Sequence, residues 1–284
     1  AFHGAMRRSA RPPSASPAAQ GHARPGQVPR IVSPEASPCP GPNSRDTAPP
    51  VPPEPAQDGS GAPGHGAAIS DAQLTETGLA PPRASDRPVL ILACGALARE
   101  IGALIRINGW SMVDLACLPA ILHNHPERIA PAVEAAVARH RPHYDRIFVA
   151  YADCGTGGAL ARTCARLGVE MIEGPHCYAF FDGLAAFEAR AEDEMTSFYL
   201  TDFLARQFDA FVWRPLGLDR HPELLPLYFG HYERLIYLAQ TDDPALDAAA
   251  RDAAMRLGLA YFKRRTGYGD LGPALARAAD PLAD

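Results

Sequence analysis

Cysteine and histidine side chains recur at points where a β-strand of this chain is predicted to end. Cys94 follows the first predicted strand and Cys154 follows the third. His176 and Cys177 follow the fourth. Because the carboxyl ends of parallel strands lie at one edge of a sheet, these side chains are expected to meet there. Thiolates and imidazoles are the ligands that zinc prefers, so the four residues predict a metal site, with zinc as the expected metal.

Other side chains near the same edge are weaker candidates. His123 and His125 follow the second predicted strand, but a histidine just before Pro126 can also simply cap a helix or lie exposed. Glu100, in the first predicted helix, is a candidate further ligand or catalytic acid/base, unless it faces solvent. The chain contains neither C-x-x-C nor H-E-x-x-H, so the predicted site depends on topology and not on a standard zinc motif.

A glycine-rich turn opens the helix after the third strand. Cys154 is followed by Gly155, Thr156, Gly157 and Gly158, and backbone N–H groups in such a turn can bind a phosphate or carboxylate. The turn lacks the spacing of a P-loop and of G-x-G-x-x-G. Close packing of the turn explains the glycines equally well.

The elements that hold these residues follow an α/β pattern. The apolar run at 88–93 predicts a strand buried on both faces, and residues 97–105 have apolar side chains at helical spacing. Further strands are predicted at 111–118, 146–151, 169–172, 235–239 and 259–262, and helices at 126–140, 155–167, 178–190, 243–257 and after Asp270. Residues 192–232 are predicted to be mainly helical. This alternation predicts a doubly wound, mostly parallel sheet with helices on both faces.

Proline content divides the chain. Of its 29 prolines, 17 lie before residue 86, and the fixed φ angle and missing N–H of proline prevent a continuous helix or strand there. Residues 1–85 are therefore predicted to be a disordered Pro/Ala/Gly-rich arm. Residues 86–284, about 200 in number, are enough for one sizeable core and are predicted to form a single α/β domain.

Charge and hydropathy argue against several classes of protein. The net charge of −5 disfavours nucleic-acid binding, which needs clustered positive charge. The chain has no run of about 18 apolar residues and no apolar segment behind Arg7 and Arg8, so no membrane span or signal peptide is predicted. The cytoplasm is the expected location, where the six cysteines would be free thiols or ligands. Cys117 and Cys164 fit simple burial in the core.

Six short segments combine glycine, cysteine, histidine and aromatic residues in a recognisable order. They are ILACG at 91–95, LPAILHN at 118–124, YADCGTGG at 151–158, GPHCY at 174–178, GLDRHPEL at 217–224 and RTGYG at 265–269. Together they resemble the bacterial and archaeal family known as domain of unknown function 1638, over nearly all of residues 88–278. Members often lie beside genes for corrinoid-dependent methyltransferases, which implies a role in one-carbon metabolism.

Three hypotheses for function follow. The first is a zinc enzyme of one-carbon or corrinoid-linked methyl transfer, in which the metal holds a substrate thiol deprotonated or polarises a water. Its partner would be a small-molecule substrate or a corrinoid methyltransferase system. The second is a non-catalytic accessory protein that binds a metal, a corrinoid or a methyltransferase. The third is thiol redox chemistry between Cys94 and Cys154 or Cys177, which requires Cα atoms within about 7 Å.

Overall fold

The computed structural model describes residues 70–82 and 88–280. The greater part of the predicted arm, residues 1–69 and 83–85, lies outside the described residues. Within the described ranges, no helix has both the length and the apolar character needed to cross a bilayer.

Residues 70–82 fold against the domain, although they lie in the stretch predicted as a disordered arm. Helix α1 spans Asp71–Glu76, and the side chain of Leu74 is fully buried in the core. Gly95 permits this close approach, because a Cβ atom there would lie 2.2 Å from the Leu74 carbonyl oxygen. Leu79 then exchanges two backbone hydrogen bonds with Cys117. A buried leucine and a paired backbone thus hold this segment in place despite the prolines nearby.

The first half of the domain contains a four-stranded parallel sheet with the order β2-β1-β3-β4. Its elements are β1 (Val89–Cys94), α2 (Ala98–Asn108), β2 (Val113–Leu118), α3 (Ile129–His140), β3 (Arg146–Ala150), α4 (Ala159–Leu167) and β4 (Glu170–Met171). Strand β1 is central and buried at every position, as its uninterrupted apolar sequence predicts. Because β2 and β3 lie on opposite sides of β1, the topological switch point falls between β1 and β3.

The second half contains a three-stranded parallel sheet with the order β5-β6-β7. The elements are α5 (Cys177–Asp182), α6 (Leu184–Ala189), β5 (Ser197–Thr201), α7 (Asp202–Arg206), α8 (Leu225–Phe229), β6 (Arg234–Ala239), α9 (Pro244–Leu257), β7 (Ala260–Arg265) and α10 (Leu271–Ala279). Strand β6 lies in the middle and is buried from Leu235 to Ala239.

The α/β class with parallel strands is confirmed, but three details differ from the prediction. The strands form two sheets and two hydrophobic clusters rather than one sheet around one core. Strand β5 lies within residues 192–232, which were predicted to be mainly helical. The helix predicted at 178–190 is divided at Gly183, whose φ of +82° interrupts helical geometry.

Two elements connect the halves. Helix α10, at the end of the described chain, packs with the core of the four-stranded sheet through Leu271 and Leu275. Phe203, in α7 directly after β5, belongs to the same core. The region between the two sheets is therefore built from both halves.

Candidate metal centre

Three ligand-type side chains converge beyond the carboxyl ends of the first sheet. The ligand atoms of His123, Cys154 and Cys177 all lie within 4.8 Å of one another. They come from the segments that follow β2, β3 and β4 respectively. The Sγ atoms of Cys154 and Cys177 are 3.0 Å apart and both side chains are buried. The topology thus brings together soft ligands from three separate loops.

Cys94, the ligand candidate at the end of β1, lies next to this cluster. Its fully buried Sγ is 3.5 Å from Nδ1 of His123. It also accepts a hydrogen bond from the backbone N–H of Ala96 at 3.3 Å, as the cap of the turn that follows β1. Cys94 therefore contacts the histidine of the cluster directly.

His176, predicted as a ligand, does not belong to the group of three. Its ring stacks on Tyr178 with centroids 4.9 Å apart and lines the neighbouring cavity. The backbone is extended at His176 and becomes helical at Cys177, so the two side chains leave the chain in different directions. His123 provides the imidazole of the cluster instead. His125 is exposed and lies 3.7 Å from a carboxylate oxygen of Glu127.

The orientation of His123 suits a ligand. Its Nδ1 lies 3.2 Å from the carbonyl oxygen of Ala120, which can only accept, so Nδ1 carries a proton in this contact. Nε2 is then the nitrogen that can give its lone pair to a metal. A histidine fixed by a backbone carbonyl in this way is typical of metal sites. The ring also stacks on Tyr151, with 15° between the planes.

Negative charge in the cluster is concentrated on Cys154. A hydrogen bond from the Cys177 thiol and the nearby His123 imidazolium lower the pKa of Cys154 to about 4, against the effect of burial. The same hydrogen bond, together with burial, raises the pKa of Cys177 well above its ordinary value. Burial lowers the pKa of His123, but the sulfur atoms of Cys94 and Cys154 outweigh it, and the pKa rises. The cluster therefore holds a thiolate, a thiol and an imidazolium at neutral pH.

Tyr151 is a member of the site that sequence reasoning missed. It follows β3 directly, is fully buried, and its hydroxyl makes no hydrogen bond of normal geometry with the described residues. Burial and the nearby sulfur atoms of Cys94 and Cys177 raise its pKa well above the ordinary value for tyrosine. Its position directly after a buried strand is the sequence signal that could have identified Tyr151 as a member of the site. The neutral hydroxyl is a buried donor beside the sulfur atoms.

The glycine-rich turn binds a carboxylate of its own chain. Asp153 accepts hydrogen bonds from the Thr156 hydroxyl at 2.7 Å and from the backbone N–H groups of Gly157 and Gly158 at 3.1 and 2.6 Å. The donors predicted to hold a phosphate or carboxylate ligand are therefore already used, and Gly155 adds a backbone contact to the same carboxylate. The turn serves to position Cys154.

Cys154 itself adopts an unusual backbone conformation. Its φ angle is +47°, and it is the one residue other than glycine with a positive φ among the described residues. An L-residue in this region costs about 1 kcal/mol or more, and such strain concentrates at functional sites. The bonds to Asp153 hold the turn in this shape, which points to a requirement for the thiol at this position.

Replacement of Asp153 by alanine is expected to lower the free energy of unfolding by about 2 kcal/mol, because three hydrogen bonds to a carboxylate are lost. Urea denaturation at neutral pH measures the change. Asp145→Ala, at an exposed position directly before β3, is the control and should change stability by less than about 0.5 kcal/mol. Equal stability of the two variants would show that the turn holds its shape without Asp153.

A cavity of about 320 Å³ opens beside the cluster, between the two sheets. Cys154, Cys177 and His123 lie on one side of it, and α7 and a π-helical turn at Asp209–Trp213 form the other. Its apolar lining is formed by Leu97, Phe181, Phe203, Leu204, Phe211 and Val212. Turns of π-helix are rare in proteins overall, but those that occur are often found at functional sites. The cavity gives a small molecule a route to the sulfur atoms.

Glu100, predicted as an acid/base, is buried in α2 and does not line this cavity. Its Oε2 has no hydrogen-bond partner among the described residues. Burial raises its pKa to about 7, although the positive charge of Arg206 opposes the rise. Glu100 is thus a protonatable group in the core, separate from the sulfur cluster.

A comparison with protein families identified the family to which the chain belongs. A family model described as Protein of unknown function (DUF1638) matches residues 117–275, more than half of the chain. The matched range includes His123, Cys154 and Cys177, whereas Cys94 lies before it. No curated protein and no solved structure matches the chain.

Proposed function

The chain belongs to the family described as Protein of unknown function (DUF1638), as its sequence segments predicted, and we propose that it is a zinc-dependent enzyme. His123, Cys154 and Cys177 are the proposed ligands. The observation that carries the proposal is the convergence of their three ligand atoms within 4.8 Å beside an apolar cavity. Catalytic zinc sites use three protein ligands and keep one position open, and two cysteines with one histidine form such a set.

The geometry needs only a small adjustment to accept the ion. Two sulfur ligands of a tetrahedral zinc ion, each about 2.3 Å from it, lie about 3.8 Å apart. The Sγ atoms of Cys154 and Cys177 are 3.0 Å apart, so they must separate by about 0.8 Å, which small side-chain rotations can provide. Binding also requires Cys177 and His123 each to release a proton, so zinc affinity should fall in acid.

The proposed reaction is transfer of an alkyl group to a small thiol: a bond forms between the thiolate sulfur and the alkyl carbon, the bond between that carbon and its carrier breaks, and the carrier leaves with the electron pair. Zinc in such a site keeps a coordinated thiol deprotonated and therefore nucleophilic. The chain's own residues supply the rest: the apolar side chains of the cavity exclude water, and the contacts of Ala120 and Cys94 orient the His123 ring. Methyl transfer in a corrinoid-linked pathway is one such reaction. The buried thiols fit a reducing compartment such as the cytoplasm.

Metal analysis of single variants tests this proposal. The full chain, purified without a polyhistidine tag, is expected to contain about one zinc ion per chain by mass spectrometry. His123→Ala, Cys154→Ala and Cys177→Ala should each lose it. Cys164→Ala removes a buried thiol of α4 that lies outside the cluster and should keep the metal. Circular dichroism of each variant shows whether the fold is retained.

Two outcomes would contradict the proposal in different ways. Absence of metal from both aerobic and anaerobic preparations would show that the cluster is not a zinc site. Retention of zinc by His123→Ala together with its loss from His176→Ala would instead restore the ligand set predicted from sequence alone.

A second function, thiol redox chemistry, is favoured by the short distance between the Cys154 and Cys177 sulfur atoms, 3.0 Å. In this proposal the Cys154 thiolate attacks a peroxide, which takes the two electrons and leaves as an alcohol or water, and forms a sulfenic acid. The Cys177 thiol then condenses with it to give a disulfide and water. Cys94 is less suited as the partner, because its Sγ lies against His123 and the Ala96 N–H.

Treatment with one equivalent of hydrogen peroxide separates the two functions. A redox protein should rapidly form a disulfide between the peptides that contain Cys154 and Cys177, detected by mass spectrometry without reduction and reversed by dithiothreitol. Cys177→Ser should stop at the sulfenic acid, which a dimedone adduct reveals. A zinc-loaded chain that keeps both thiols reduced under the same treatment would contradict the redox function.

A further inference from the structure

The lining and the volume of the cavity beside the sulfur cluster indicate which class of molecule it can bind. We propose that its ligand is a small, uncharged alkyl or aryl thiol, an inference that rests on the proposed zinc site. Two features of the cavity support this chemical class: the absence of charged side chains from its described walls outside the sulfur cluster, and its size.

No aspartate, glutamate, lysine or arginine is among the described residues that line the cavity. Apart from the cluster, its polar residues are Asn124, His176, Tyr178 and Thr201. Against the part of the wall outside the cluster, an ionised carboxylate, phosphate or ammonium group would leave water without an opposite charge, which costs several kcal/mol. The walls outside the cluster therefore select against small molecules that carry a charged group.

Aromatic rings shape the deeper wall. Phe203 is buried and meets Phe211 edge to face, with ring centroids 5.3 Å apart. Tyr178 stacks on His176 on one side and on Tyr199 on the other, with centroids 4.9 and 5.3 Å apart. Such fixed rings pack well against an alkyl chain or another ring. They supply contact area without a charge.

The Thr201 hydroxyl is a neutral donor among these apolar groups. The Thr201 hydroxyl oxygen accepts a hydrogen bond from the backbone N–H of Leu204 at 3.3 Å. Among the described residues no acceptor takes its hydrogen, so it remains able to donate. The cavity can thus hydrogen-bond a neutral oxygen of its ligand, and no Asp, Glu, Lys or Arg side chain among its described lining residues could form a salt bridge with that ligand.

The volume limits the ligand to a small molecule. About 320 Å³ is at the lower end of the range for ligand pockets, roughly 300–1,000 Å³. A corrinoid macrocycle is far larger than this space. Any corrinoid would therefore act from a partner protein or from outside the cavity, and the group that enters is the small thiol.

Cobalt substitution of the full chain gives a direct test. Cobalt(II) at the site reports a coordinated thiolate by a charge-transfer absorption band, so the dissociation constants of butanethiol, 3-mercaptopropionate and cysteamine can be measured at pH 8. Butanethiol is expected to bind at least about tenfold more tightly than either charged thiol. Equal or tighter binding of 3-mercaptopropionate or cysteamine would overturn the inference.

A charge placed in the wall provides the matched variant. Leu204→Lys introduces an ammonium group into the lining and should strengthen binding of 3-mercaptopropionate at least about tenfold relative to butanethiol. Phe262→Lys, at an exposed position of β7 away from the cavity, should leave both affinities unchanged. Unchanged affinities in Leu204→Lys that still binds cobalt would show that the thiols do not enter this cavity.

Failure of the metal site and failure of the substrate class are distinguishable. If the protein binds neither zinc nor cobalt, the proposed function is wrong, and calorimetry of the metal-free chain with benzyl alcohol, benzoate and benzylamine tests the cavity separately. Preferential binding of benzyl alcohol would support the uncharged class. Equal binding of the three, or binding of none, would overturn it.

Discussion

Replacement of Asp202 by alanine is expected to lower the free energy of unfolding by about 4 kcal/mol. Asp202 begins α7, is 1% exposed, and joins the carboxyl end of β5 to that of β6. Its carboxylate accepts hydrogen bonds from the Tyr237 hydroxyl, the Gln240 N–H, and the N–H and hydroxyl of Thr241, at 2.6–3.1 Å. Alanine would leave the buried Tyr237 hydroxyl and Gln240 N–H without their acceptor, together with two donors of the exposed Thr241.

Urea denaturation followed by circular dichroism measures this change. Tyr237→Phe removes only one of the four bonds and should cost about 1 kcal/mol, which gives a graded series. Asp252→Ala, on the exposed face of α9, is the control with an expected change within about 0.5 kcal/mol. A loss below about 1 kcal/mol for Asp202→Ala would mean that water replaces the carboxylate, and that this junction is wetter than its burial indicates.

Glu100→Gln should stabilise the protein by about 3 kcal/mol above pH 7 and have little effect near pH 4. Burial raises the pKa of Glu100 from 4.5 to about 7, so the folded protein keeps this proton to a higher pH than the unfolded chain does. The contribution of Glu100 to the free energy of unfolding is fully present below about pH 4.5, and it is lost as the pH rises through about 7. Glutamine is neutral throughout and avoids that loss.

The pH dependence makes the prediction specific to ionisation. The stability of the variant and of the parent should converge in acid and diverge progressively between about pH 4.5 and 7. Glu188→Gln, at an exposed position of α6, should give no such divergence. Because Glu100 does not line the cavity, the variant should also keep its zinc. A pH-independent effect would show that Glu100 is already paired with Arg206 in the folded state.

The sequence permits prediction of the strand ends that carry the cluster, because the apolar strands are followed at once by reactive residues. Cys94 closes β1, and Cys154 and Cys177 follow β3 and β4, as expected from the alternation of strand and helix. Parallel pairing places these ends at one edge of the sheet. The approximate position of a cysteine-rich site is therefore contained in local sequence patterns.

Local sequence patterns do not show which histidine belongs to the cluster with Cys154 and Cys177. His123 and His176 both follow strands, and the choice between them depends on side-chain direction at a turn. Strand β5 was missed for a related reason: its sequence, SFYLT, lies in an aromatic segment without alternation, and its pairing with β6 joins residues more than 30 positions apart. Likewise, only the tertiary contact with Gly95 explains why Leu74 is ordered.

Around the cavity between the sheets, the ligand-type side chains and the apolar side chains that would select a bound molecule come from different parts of the chain. The ligand atoms of His123, Cys154 and Cys177 come from the segments directly after strands of the four-stranded sheet, whereas Phe203, Leu204 and Phe211 come from the segment after β5. Substitutions in that segment can alter which molecule is accepted while the reacting atoms stay in place. Relatives with the same chemistry and different substrates should therefore differ chiefly in α7 and the π-helical turn, which are also the natural positions for redesigning specificity.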